Sequence, residues 1–270
     1  MRVADVGGLV TLFYDGSKSL VDETLSLEFL NEYFDYGRNI NGWGSYSETD
    51  KCDRFVRERE SWQEVVVMDG VTEIPRITFI FCHNIQRVIF ADSVIRIEGG
   101  AFEGCRNLEF VKLSTNLEYI GLAAFFKCNL SSIFIPPRCE QIENLAFSRN
   151  RNLEIFNTPE DTELGDNLIS STKILQNSPF ENGSNHGAVN NWLKNINAED
   201  EFALHRICSS FQPSLEAVLD TMKDKGGPKA FQLKNNIGIT PSRYLKENPY
   251  ADLNEKDIIK QYILHMKGEL

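Results

Sequence analysis

Val111-Lys112-Leu113-Ser114-Thr115-Asn116-Leu117-Glu118-Tyr119-Ile120-Gly121-Leu122-Ala123-Ala124-Phe125-Phe126-Lys127-Cys128 decides the fold, because the chain writes this pattern five times between Trp62 and about Ile174. The columns are Ile74, Ile97, Ile120 and Ile142; Phe79, Phe102, Phe125 and Phe147; and Cys82, Cys105 and Cys128. The step is 23 residues, shortened by one at the last step of the first two columns. Columns that change step together do not arise by chance. A fixed period of this length marks a solenoid, whose units are too small to hide their own apolar face and bury it on the next copy.

Each unit opens with apolar residues at positions one, four and six: Trp62, Val65, Val67; Ile85, Val88, Phe90; Leu108, Val111, Leu113; Leu130, Ile133, Ile135; and, weakest, Leu153, Phe156, Thr158. This is leucine-rich-repeat spacing, in which alternate side chains of a short parallel strand enter the stack. The second half of each unit supplies another inward pair and a short helical turn, as in Val94, Ile97, Ala101, Phe102 and Cys105. Positions three, five and seven then face solvent on the sheet. They spell an apolar strip, Val66, Met68, Ile89, Phe110, Phe134 and Ile155, interrupted by Arg87 and Lys112. An exposed strip of that size marks an interface, with Phe110 and Phe134 as its anchors. The alternative is that helices of the same chain cover it, which makes the same side chains glue between domains.

These units closely resemble the BspA-like leucine-rich repeats, whose consensus runs L-x-x-I-x-I-P, V-x-x-I-G, A-F-x-x-C. The resemblance spans about two fifths of the chain, and its departures are local: Pro75 replaces the usual glycine in the first unit, Gly99-Gly100 displaces it in the second, and Ser148-Arg149-Asn150 loses the cysteine in the fourth. The fifth unit keeps Leu164-Gly165 but lacks the phenylalanine, and reads as a frayed end. The resemblance implies a right-handed solenoid used for protein or surface recognition, with no chemistry of its own.

Ahead of the repeats, residues 1–61 are expected to cap the first open end. Leu9-Val10-Thr11-Leu12-Phe13-Tyr14 reads as a strand turning at Asp15-Gly16, followed by a helix from Asp22 to Gly37, a loop carrying Trp43 and Tyr46, and a charged helix over 50–61. Behind the repeats, 175–191 is polar and broken by Ser178-Pro179 and Asn182-Gly183-Ser184, which predicts a linker. Residues 192–270 then turn helical, with segments over 198–211, 213–225, 240–248 and 254–267. Thr240-Pro241 resembles the helix start of ankyrin repeats, and Ala203-Leu204-His205 their inner helix. Thr240 can cap, and Pro241 sits where a missing N–H costs nothing. The fold expected is therefore α+β: a leucine-rich-repeat solenoid over 62–174 and a small α-helical, ankyrin-like domain.

Composition narrows the function. A net charge of -11 and a pI near 5.0 argue against nucleic acid or anionic membrane as the main partner. No run has the apolar length of a membrane span, and residues 1–14 do not read as a secretory signal, so an intracellular, cytoplasmic setting is expected. Of the six cysteines, three stack in one repeat column and the rest (Cys52, Cys139, Cys208) are scattered, which fits neither disulfides nor a metal site. Four histidines, His83, His186, His205 and His265, lie far apart with no convergent nucleophile. His205 is expected to bridge backbone, and Glu98, Glu103, Glu109, Glu118, Glu140 and Glu143 to be solvated repeat positions. No cofactor motif occurs: Gly7-Gly8 and Gly226-Gly227 lack phosphate-loop spacing. The reading is a non-enzymatic interaction module or scaffold that binds an unidentified protein partner through the sheet face. Two alternatives stand beside it: a cell-surface adhesin of the BspA-like type, for which the sequons at Asn129 and Asn182 would matter, and an enzyme with a site in residues 1–61. The oligomeric state is left open.

Overall fold

The computed structural model describes residues 2–6, 9–13, 62–180 and 185–267. The repeats build a solenoid with two parallel ladders. One runs through β1 (Arg2–Val6), β2 (Leu9–Phe13), β3 (Glu64–Val67), β5 (Arg87–Phe90) and β7 (Phe110–Lys112), and resumes as β9 (Ser132–Phe134) and β11 (Ile155–Asn157). The other is unbroken through β4 (Glu73–Ile74), β6 (Arg96–Ile97), β8 (Tyr119–Ile120), β10 (Gln141–Ile142) and β12 (Glu163–Leu164). All pairs are parallel except β1 with β2. In the first ladder Glu64, Arg87 and Phe110 align, so side chains of one column stack.

The phenylalanine column forms the spine. Phe79, Phe102, Phe125 and Phe147 lie 4.9, 5.3 and 5.4 Å apart, nearly parallel and buried. Burying one such ring contributes about 1.5–3 kcal/mol, and the repeat spacing imposes the stacked geometry. Trp62 meets Phe79 edge-on at 5.9 Å at one end. At the other, the fifth unit has Ile169 in the column, and Phe156 closes the stack against Phe147 at 5.5 Å.

The cysteine column hydrogen-bonds between turns. Cys105 Sγ donates to Phe79 O at 3.1 Å and Cys128 Sγ to Phe102 O at 3.2 Å. Burial pushes both thiols well above their ordinary pKa, so they remain protonated donors. The missing fourth cysteine is answered by Asn150, whose Nδ2 donates to Phe125 O and Phe147 O at 2.7 and 2.9 Å.

The short helical turn expected in each second half is something else. Pairs of residues four apart are left-handed: Ile77 and Phe81, Gly100 and Gly104, Ala123 and Lys127, Leu145 and Arg149, Asn167 and Ser171. Between them N–H groups alternate, those of Ile77, Phe79 and Phe81 donating to the next turn and those of Thr78, Ile80 and Cys82 donating three residues back. No helix could supply donors across turns, because its N–H groups bond along its own axis. The fifth unit retains this pair, so it is a complete turn and not a frayed one. Gly121 answers a close approach, since a Cβ there would fall 2.6 Å from Gly99 N.

Both ends are closed. At the start β2 pairs with β3, and Val6 stands opposite Leu9, so the strand over Leu9–Phe13 takes its hairpin partner from the residues before it. Asp15-Gly16, the expected turn, and the helices expected over 22–61 lie outside the described residues. At the far end α1 (Lys173–Gln176) is capped by Thr172, and α2 (His186–Lys194) is capped by Asn185. α2 lies against β12, where Asn190 Nδ2 donates to Leu164 O at 2.8 Å and Gly165 O at 3.2 Å. The polar stretch expected as a linker over 175–191 thus contains the start of a capping helix. Asn190 serves the Leu164 and Gly165 carbonyls, which have no next turn to pair with.

The remaining helices are two hairpins, α3 (Ala203–Ser209) with α4 (Leu215–Asp224), and α5 (Pro241–Glu247) with α6 (Glu255–Met266). α3 packs on α5 and α4 on α6. Ser214, Thr240 and Asn254 cap α4, α5 and α6 as side-chain acceptors, with Pro241 in the first turn of α5. His205 is buried and ties α3 to the loop that leads into α5 through Nε2 and Leu233 O, 2.9 Å apart.

Candidate interaction surface

The sheet face presents the strip, and the helical hairpins divide it. Phe134 and Ile155 are only 2% and 1% exposed. The residues around them bond to the hairpins: Ser132 Oγ to Glu247 at 3.3 Å, Asn157 Nδ2 to Ser209 O at 2.7 Å, and Glu154 to Arg243. These two members of the expected binding set are therefore glue within the chain. The sequence pattern placed them correctly on the face but could not say that residues 52 to 115 positions later return to cover it.

The polar frame of this contact is specific. Glu154 pairs with Lys173 and Arg243 together. Burial raises its pKa, and the bonds to the two cations outweigh that, leaving the carboxyl below its ordinary value. Tyr250 donates its hydroxyl to Leu113 O at 2.8 Å, and burial, offset in part by this bond, pushes its pKa up. The Tyr250 ring lies 4.0 Å from that of Phe211, with the Lys112 ammonium 5.9 Å from the ring.

The other half of the face, on β3, β5 and β7, carries no such partner from the hairpins beyond Lys112. Met68 is 47% exposed, Val66 and Ile89 are half-buried, and Arg87 is exposed. Arg87 pairs loosely with Glu64 at 3.5 Å, and its guanidinium lies 4.4 Å over the ring of half-buried Phe110. Among the described residues, the structure thus brings Val66, Met68, Arg87, Ile89, Phe110 and Lys112 together on one patch that the hairpins leave largely uncovered.

Other expectations resolve residue by residue. Glu109, Glu118 and Glu140 are exposed, whereas Glu103 is buried at a turn corner between Gly100 and Gly104. His83 is half-buried, its Nδ1 2.8 Å from Gly104 O. Sequence reasoning missed Tyr250 and Glu154. Pro136 was the available signal for Tyr250, because a proline at position seven removes the N–H that Ala91, at the equivalent position, donates to Val67 O at 2.9 Å. Among the described residues no three metal-ligating side chains gather, and no helix is long and apolar enough to cross a membrane.

Residues 72–188 match the model of the BspA type leucine rich repeat region in six copies, a span that runs past the fifth turn into α2 and ends before α3. Three solved structures are similar to part of the chain. A leucine-rich repeat protein from Bacteroides ovatus is 30% identical over 42% of this chain and 30% of its own, with a TM-score of 0.40. A leucine rich cell surface protein from Faecalibacterium prausnitzii is 26% identical over 40% and 35%, with a TM-score of 0.33. A leucine-rich repeat protein from Eubacterium ventriosum is 21% identical over 44% and 37%, with a TM-score of 0.32. The chain spans about a third of the length of these solved chains. No curated protein matches. Residues 72–188 are thus similar to the BspA type leucine rich repeat region, and the structure builds these repeats as a parallel-strand solenoid.

Proposed function

We propose that this is a non-enzymatic interaction protein that binds a protein partner through the open half of its sheet face, acting as a scaffold inside the cell. The observation that carries this is the division of one apolar strip into a covered half and an open half. Phe134 and Ile155 show what the face does when a protein surface meets it, and Met68, Val66 and Ile89 continue it without cover from the described helices. Apolar side chains interleaved with Arg87 and stacked Phe110 suit a recognition surface. The helical hairpins support an ankyrin-like reading through the α3–α5 and α4–α6 packing, the Thr240-Pro241 start and the His205 bridge.

The test is affinity capture from native extract with wild type beside a Met68→Glu/Ile89→Glu variant of unchanged melting temperature. Loss of the captured protein from the variant supports the reading. Equal capture by both refutes the patch, and protease accessibility on intact cells decides between the intracellular scaffold and the surface adhesin.

A further inference from the structure

The last helix carries a second surface. α6 packs on α4 and on the 3-10 turn Gly227–Gln232. Ile258 is buried, and the Tyr262 ring lies against Gly227. Successive helical residues advance by about 100°, so Ile259, Ile263 and Met266 line up beside that inner face as a separate stripe. Ile263 is 45% and Met266 61% exposed, while Ile259 is half-buried at the stripe's inner edge. Along one side of the stripe run Lys256, Lys260 and Lys267, all exposed. Three aligned lysines stand out on a chain of net charge -11.

We infer that α6 is a docking site for an acidic amphipathic helix of a partner protein, whose apolar face covers Ile259, Ile263 and Met266 while its carboxylates meet Lys256, Lys260 and Lys267. Charge complementarity selects this occupant. A second copy of α6, packed antiparallel about a two-fold axis, would set each lysine row against its own copy, opposing like charges. An anionic lipid surface is an extended plane that would also face the acidic remainder of the chain, whereas one peptide helix meets the lysine row alone within a Debye length. This surface is independent of the sheet-face patch.

The experiment is fluorescence anisotropy of the full chain with two labelled helical peptides, one with leucines along one face flanked by glutamates, the other with lysines in place of the glutamates. The glutamate peptide is expected to bind with a dissociation constant on the order of 10–100 µM, more weakly as salt rises, and the lysine peptide not to bind. Ile263→Ser/Met266→Ser should weaken binding at least about tenfold at unchanged melting temperature. Lys256→Glu/Lys260→Glu should transfer preference to the lysine peptide. Equal binding of the two peptides, a charge reversal that leaves the preference unmoved, or partition onto phosphatidylserine vesicles with the glutamate peptide unbound would each overturn the inference.

Discussion

Tyr250→Phe removes one oxygen from the contact between the hairpins and the solenoid, and its cost follows from the repeat. In the second turn the backbone N–H at position seven, Ala91 N, donates to the carbonyl at position six of the preceding turn, Val67 O, at 2.9 Å. The corresponding donor for Leu113 O is position 136, a proline, and the Tyr250 hydroxyl stands in its place at 2.8 Å. Leu113 is 1% exposed, so loss of the hydroxyl strands a buried carbonyl, while the phenylalanine ring keeps the Phe211 contact. A stranded buried acceptor costs about 1–3 kcal/mol. For a chain of this size that lowers the melting temperature by roughly 2–4 °C per kcal/mol. Urea titration followed by circular dichroism measures the cost, in wild type and in a Pro136→Ala background where the backbone can donate again. The coupling between the two substitutions isolates the bond from the packing each disturbs. A Tyr250→Phe cost below about 0.5 kcal/mol, or the same cost in both backgrounds, refutes the account.

Three further outcomes test other joints. Ser171, exposed at φ 60°, should gain about 0.5–1 kcal/mol on Ser171→Gly, whereas Gly104→Ala, at φ 75° with a Cβ 2.4 Å from the Phe81 ring, should lose more than that, both read by thermal melts. Asn150→Ala removes two donated bonds and the 3.1 Å acceptance from Leu130 N, and should cost about 3 kcal/mol in urea, while Asn150→Cys recovers part of it. Because the folded state lowers the Glu154 pKa below 4.5, its contribution is full above that value and is lost as pH falls through the folded pKa; Glu154→Gln should flatten this acid limb of a stability–pH profile.

Much of the fold was legible because the repeat states each inward position several times. The Ile, Phe and Cys columns needed no tertiary information, and the Thr240 and Asn254 caps are local chemistry readable from one turn of chain. What escaped was long-range or conformational. The alternating left-handed corners escaped because half of their positions carry Ile77, Phe81, Ala123, Lys127 and Leu145, side chains that give no hint of positive φ. The hairpin partner of Leu9–Phe13 was sought after it, although Gly7-Gly8 offers an equally strong turn signal before it. For the surface, the strip was readable, but its division was not, because alternation tells which side chains leave the core and nothing about which later helix returns to meet them.

The departures from the repeat explain where that helix pair returns. The single-residue shortening falls between Cys128 and Leu130, with Asn150 reaching across to Leu130 N. From there position seven becomes Pro136 and then Pro159, and the first ladder stops pairing between β7 and β9. A ladder without its donors exposes carbonyls that another element must satisfy, and a shortened turn shifts the face out of line with the strands before it. Tyr250 and the Glu154 clamp occupy that place. Turns one to three hold Met68, Ala91 and Ser114 at position seven, keep their ladder, and are extended by β2. Among the described residues, the regular turns therefore keep a face that the helical hairpins do not meet, and the irregular ones hold the chain's own helices.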